Sequence, residues 1–161
     1  MIRNFSIAAF LFAPILASAA TQLPNTPYLP LDLATQAAQA ALKTCVAQSH
    51  NVSVAIVARD GATKVLLKAD NSGPHTASSA QGKAFTSAAM GRDTAGLADF
   101  IASKPANNGL RDMDSRMIIQ AGGLPIKFDK ALVGGIGVGG APSGDIDAAC
   151  AAAGLKAIGA Q

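Results

Sequence analysis

Few side chains in this sequence could do chemistry, and His75 is the most informative of them. It follows Gly73-Pro74 in a loop and precedes a helix-like segment that carries Thr76 and Lys83. An imidazole beside a helix can ligate a metal ion or transfer a proton. A histidine in a loop is more often simply solvated, so the residue types alone leave both interpretations open.

Other catalytic and metal-binding patterns are weak or missing. The sequence has two histidines and no glutamate, so an ordinary zinc site would need scattered ligands. No GxSxG nucleophile motif occurs. Residues 135–140 match GxGxxG literally, but the helix and the downstream acidic residue of a dinucleotide site do not follow. We interpret these glycines as a strand against which a helix or another subunit packs closely.

The N-terminal sequence predicts the compartment of the protein, and the compartment decides how the two cysteines, Cys45 and Cys150, are interpreted. Residues 1–20 have a positively charged start, an apolar run and small residues before a cleavage site, which is the pattern of a secretory signal peptide. The apolar run is too short to cross a membrane. Export places both cysteines in an oxidising periplasmic or extracellular compartment, and each lies on the apolar side of a helix-like segment. We therefore predict one disulfide between them, and no membrane contact after cleavage of the signal peptide.

The charge pattern argues against nucleic acid as a partner. The net charge is +3 over 161 residues, and the lysines and arginines are scattered without a run. Aromatic residues make up 4% of the chain, so platforms for stacked bases are not expected. One core built from Ala, Val, Leu and Ile is expected instead.

The elements that must position these residues form one domain, residues 32–161, after a proline-rich arm at 21–31. Apolar periodicity predicts a helix that Asp32 caps and that ends near residue 49. Asp60-Gly61 between two strand-like runs predicts a hairpin. The later predictions are two helices (about 78–90 and 93–101), a polar loop (104–115), three strands (117–119, 126–128 and 132–138) with turns at 122–125 and 129–130, and a last helix (145–158). This order predicts an α+β fold, in which N- and C-terminal helices and two central helices cover an antiparallel sheet of about five strands.

Five motifs occur in a distinctive order over about residues 31–158. They are His75-Thr76, Lys83-Ala84-Phe85-Thr86-Ser87-Ala88, Gly122-Gly123-Leu124-Pro125-Ile126, the run from Val133 to Pro142, and Asp147-Ala148-Ala149-Cys150-Ala151. Together they resemble the GlcG/HbpS family, which includes the C-terminal domain of PduO. The resemblance implies a profilin-like α+β fold and self-association into dimers or larger rings. It also implies haem binding in several members, with haem degradation or redox-linked sensing proposed for some.

A haem site needs an apolar slot, an iron ligand and cations for the two propionates. We predict His75 as the iron ligand, with Thr76 beside it in the same loop. Lys83 could meet one propionate, and Arg111 or Arg116 could close the other side.

The first hypothesis is therefore an exported, homo-oligomeric binding protein for haem or a related tetrapyrrole. Two alternatives stay open from the sequence. One is an enzyme or accessory factor that acts on a small organic acid in the cleft between the His75 loop and the glycine strand. The other is an interaction module without a small ligand.

Overall fold

The computed structural model describes residues 25–161, so the predicted signal peptide and the start of the predicted arm lie outside this range. The described chain contains four α-helices, one 3₁₀ helix and a four-stranded antiparallel sheet. In chain order the elements are α1 (Leu31–Val46), β1 (Ser53–Ala58), β2 (Thr63–Lys68), α2 (Thr76–Met90), α3 (Thr94–Ser103), the 3₁₀ helix (Pro105–Asp112), β3 (Gly123–Phe128), β4 (Ala131–Gly139) and α4 (Gly144–Ala157). The α+β class is confirmed, but the expected number of strands is too high by one.

The expected strand that does not form is the apolar segment 117–119. Its backbone bonds to a helix instead, because the Ile118 N–H donates to Thr86 Oγ1 (2.9 Å) and to the Gly82 carbonyl (3.4 Å) of α2. A run of three apolar residues does not distinguish a strand from a segment that packs across a helix. The predicted polar loop at 104–115 differs too, since most of it is the 3₁₀ helix.

The cap of α1 also differs from the prediction. Pro30 occupies the N-cap position, and Asp32 lies inside the first turn. A carboxylate there still interacts favourably with the helix dipole. The residue type was therefore informative about where the helix begins, but not about which residue caps it.

The sheet has the strand order β2-β1-β4-β3, with every neighbouring pair antiparallel. The hairpin expected at Asp60-Gly61 is confirmed, and Gly61 has the positive φ of 87° that such a turn requires. The turn expected at 122–125 is mostly strand, because β3 begins at Gly123. Pro125 is tolerated there because β3 is an edge strand.

One face of the sheet is covered by α1 and α4. Val54 and Ile56 of β1 point to this side and join the larger apolar core. The predicted disulfide is confirmed: Cys45 of α1 is bonded to Cys150 of α4, with 5.6 Å between the two Cα atoms, and both cysteines are fully buried. The bridge holds the first and last helices side by side.

The other face of the sheet is covered by α2, which lies unusually close to β4. A Cβ atom on Gly137 would lie 2.2 Å from the Ala80 carbonyl oxygen and 2.5 Å from the Ala84 nitrogen. A Cβ on Gly135 would lie 2.3 Å from the Ala84 carbonyl oxygen. The glycines of β4 therefore serve close packing against a helix, as the sequence suggested. Within residues 25–161, no helix is both long and apolar enough to span a bilayer.

Candidate functional site

The side of α2 that faces away from β4 lines an open groove. Ser78, Gly82 and Phe85 share this side because residues three, four and seven positions apart lie on one helix face. The cavity measures about 290 Å³ and is lined by Val57, Gly61, Thr63, Ser78, Gln81, Gly82, Phe85, Ser115, Arg116 and Ile118. Residues of the hairpin, of α2 and of the segment before β3 thus converge on one site.

Arg116 is held in a fixed orientation at the edge of this groove. Its guanidinium carbon lies 4.1 Å from the centroid of the Phe85 ring, which is a cation–π contact. Its Nε and Nη2 donate to the two carboxylate oxygens of Asp114, at 2.9 and 2.6 Å. The Nη1 group has no hydrogen-bond partner among the described residues, so it remains available to an anionic ligand.

The same contacts extend to lower pH the range over which Asp114 is ionised. Its side-chain hydrogen bonds with Arg116 are the main cause that lowers the pKa of Asp114 to about 2. The carboxylate is therefore ionised throughout the physiological pH range. It keeps the Arg116 side chain, which is 62% exposed, stacked on Phe85 instead of free in solvent.

His75 precedes α2, the helix whose outward side lines the groove. It is the N-cap residue of α2, and its helical backbone angles (φ −77°, ψ −17°) continue the helix by one position. His75 precedes Ser78 by three residues on the same side of α2, a rise of about 4.5 Å. The imidazole is exposed and makes no hydrogen bond within the described part of the chain, although His75 itself does not line the cavity.

Thr76, in contrast, is turned into the protein and is 2% exposed. Its hydroxyl lies 2.8 Å from Ser53 Oγ of β1 and 2.8 Å from the Gly73 carbonyl oxygen. The hydroxyl therefore anchors the start of α2 to the sheet and does not face the groove.

Lys83 is also buried, at 2% exposure, although the sequence suggested a propionate partner. Its ammonium donates to Asp147 Oδ2 (2.8 Å) and to the Val138 carbonyl (3.0 Å), and Asp147 Oδ1 accepts from the Ala141 N–H (3.0 Å). The ion pair links α2, β4 and α4. A buried ammonium that is paired in this way cannot reach a propionate without breaking the pair, so we assign Lys83 a structural role.

Arg111 lies on the 3₁₀ helix, is exposed and does not line the groove. Of the five residues suggested for haem, Arg116 lines the groove, and His75 lies outside the lining, three residues before Ser78. Sequence reasoning did not single out Phe85, whose ring supports Arg116. In residues 25–161, no group of three or more potential metal-ligating side chains is present.

Comparison with known proteins shows which family this chain belongs to. The model of the HbpS-like haem-degrading proteins matches residues 29–156. The chain belongs to the HbpS-like family. This confirms the resemblance found in the sequence motifs. No curated protein gives a significant match to the sequence.

Three solved structures are similar to this HbpS-like chain. A double mutant of HbpS from Streptomyces reticuli is 40% identical over 91% of this chain and 97% of that one, with a TM-score of 0.79. The haem complex of PduOC is 25% identical over 84% of this chain and 98% of that one, with a TM-score of 0.77. The Klebsiella pneumoniae protein ORFY, at 23% identity over 89% of this chain and 99% of that one (TM-score 0.80), shares the fold.

Proposed function

We propose that this HbpS-like chain is an exported, homo-oligomeric protein that binds haem or a related tetrapyrrole, with His75 as the iron ligand. The observation that carries the proposal is an exposed imidazole without a partner in the described chain, three residues before the first α2 residue of a partly apolar groove that holds a stacked arginine. The haem-degrading description of the family and the haem complex of PduOC support it.

The residues present fit such a ligand. Val57, Phe85 and Ile118 provide apolar walls for a macrocycle. A neutral imidazole nitrogen of His75 would ligate the iron, and Arg116 Nη1 would donate to a propionate. When bound, haem supplies a redox-active iron, whose accessible chemistry depends on the ligand and the polarity that the protein provides.

The size of the groove supports the oligomeric part of the proposal. Its 290 Å³ is just below the range for small-molecule sites, about 300–1,000 Å³. Residues of one chain would therefore cover only part of a tetrapyrrole. In the proposed oligomer, a second copy covers the rest.

The disulfide supports export. Disulfides such as Cys45–Cys150 persist in oxidising compartments and are rare where thiols are kept reduced. We therefore retain a periplasmic or secreted location as part of the proposal.

The deciding experiment is a hemin titration followed by the Soret band. The sequence contains two histidines, so His50→Ala is a matched control for His75→Ala. We expect His75→Ala to shift the Soret band and to weaken hemin binding by at least about tenfold, because the iron loses a ligand. The His50→Ala variant should match the wild type.

The affinity for an iron-free porphyrin measures packing in the groove without the contribution of iron ligation. Protoporphyrin should bind to the wild type and to His75→Ala with equal affinity, since both retain the apolar walls. A wild-type protein that binds no hemin would overturn the proposal. So would a hemin spectrum and affinity that are the same in wild type and His75→Ala.

A further inference from the structure

Lys68, the last residue of β2, contacts the loop that carries His75. Its ammonium donates to the Ser72 carbonyl (2.6 Å), to Ser72 Oγ, to the Gly73 carbonyl (3.0 Å) and, more distantly, to Thr76 Oγ1 (3.4 Å). An ammonium has three N–H donors, so these four oxygens use its full capacity. A single side chain of the sheet therefore holds both sides of His75.

Few other hydrogen bonds join this loop, residues 69–75, to the sheet. Most of its remaining hydrogen bonds join residues three positions apart, such as Ser72 N–H to the Ala69 carbonyl (3.3 Å) and Thr76 N–H to the Gly73 carbonyl (3.2 Å). These bonds define local turns but do not fix the direction of the loop relative to β1 and β2. Besides Lys68, two contacts in the described chain do so: the Ala69 N–H donates to the Val52 carbonyl (2.9 Å) where the loop begins, and the Ser53 and Thr76 hydroxyls pair (2.8 Å) where it ends.

The imidazole itself rests on this held backbone. A Cβ atom on Gly73 would lie 2.8 Å from His75 Cε1, so the ring lies directly against Gly73. The carbonyl of that same glycine accepts from Lys68. A change in the Gly73 backbone would therefore move the surface on which the His75 ring lies.

We propose that Lys68 is a positioning residue, which orients His75 for ligation by holding the Ser72 and Gly73 carbonyls. The proposal rests on the function proposed above for His75. Lys68 acts through the loop and not by direct contact with an anionic ligand, because its donors are already occupied by protein oxygens. Partners that orient a metal-ligating histidine typically change affinity by 10- to 100-fold when they are removed.

The test compares Lys68→Met with Lys64→Met. Methionine keeps an unbranched stem and removes the ammonium. Lys64 is a matched control because it lies on the same strand and also donates to a backbone carbonyl, that of Leu29 (2.7 Å). Leu29 belongs to the N-terminal arm and not to the His75 loop. We expect Lys68→Met to weaken hemin binding by about tenfold, and Lys64→Met to leave it unchanged.

Combination with His75→Ala shows whether Lys68 acts through the histidine. In the His75→Ala background, Lys68→Met should cause no further loss of hemin affinity. An equal loss in both backgrounds would overturn the proposal, because it would indicate direct contact between Lys68 and the ligand. Normal affinity in Lys68→Met, where His75→Ala alone weakens binding, would also overturn it.

Amide hydrogen exchange without hemin gives an independent measurement. The Thr76 and Ser79 amides donate to the Gly73 and His75 carbonyls and so report on the loop. Their exchange should be faster in Lys68→Met than in wild type or Lys64→Met, while exchange in α4 stays the same. If His75→Ala leaves hemin binding intact, the proposed function fails. If the amide hydrogen exchange of Thr76 and Ser79 is unchanged in Lys68→Met, Lys68 does not hold the loop, and this result is independent of hemin binding.

Discussion

Substitution of Gly137 by alanine should force α2 away from the sheet. The new Cβ would lie 2.2 Å from the Ala80 carbonyl oxygen and 2.5 Å from the Ala84 nitrogen. Both are backbone atoms inside a helix, which cannot rotate away as a side chain would. To restore an ordinary contact of 3.4 Å, α2 would have to retreat by about 1.2 Å, the difference between 3.4 and 2.2 Å.

The expected loss of stability follows from this overlap. Added methylenes in a well-packed core typically cost about 1–3 kcal/mol, and more where the neighbours cannot adjust. Because the overlaps are with rigid backbone, we expect Gly137→Ala to lower the free energy of unfolding by about 3 kcal/mol. For a chain of this length, this corresponds to a decrease in Tm of about 10 °C.

Urea unfolding followed by circular dichroism measures the effect, and Gly109→Ala is the matched control. A Cβ on Gly109 meets nothing within 4 Å, so this variant should stay within about 0.5 kcal/mol of wild type. If Gly137→Ala is as stable as Gly109→Ala, the contact between helix and strand backbones does not set the distance between α2 and the sheet.

Two further predictions concern the buried ion pair and the disulfide. Lys83→Met should lower the free energy of unfolding by about 3–5 kcal/mol, because it leaves the Asp147 carboxylate buried without its cation. The double variant Lys83→Met/Asp147→Leu should recover part of this loss in urea unfolding, and a double variant less stable than the single one would contradict the reasoning. Cys45→Ala/Cys150→Ala should cost about 2–5 kcal/mol. Its hemin affinity in the folded state should match the wild type because the bridge lies on the opposite face of the sheet, and a lower affinity would show that the two faces are coupled.

The parts of the fold that were predictable from sequence are those specified by local chemistry. Asp60-Gly61 specified a hairpin because few residues accept the backbone angles of such a turn. The cysteine pair was predictable because the predicted export favours a disulfide and two cysteines leave a single intramolecular pairing. The glycines of β4 predicted close packing, since the absence of a side chain lets another backbone approach the strand.

The site was less predictable because it depends on contacts between residues distant in sequence. A lysine on a helix, such as Lys83, is usually solvated, and its partner Asp147 lies 64 positions later in a different helix. The stacking of Arg116 on Phe85 joins α2 to a residue that lies between the polar loop and the strand predicted from the sequence. No local signal marked the pair of Lys83 and Asp147, because Asp147 lies in the first turn of α4, where a carboxylate is common whether or not it has a buried partner.

The backbone contact between α2 and β4 restricts how proteins of this architecture can diverge. At the glycine positions no side chain separates the helix from the strand, so substitutions there cannot reshape the ligand site without disturbing the interior. New specificity must instead arise on the outward surface of α2 and in the segments that flank it. Mutational libraries designed to change what the groove binds should therefore vary those positions and leave the glycine strand untouched.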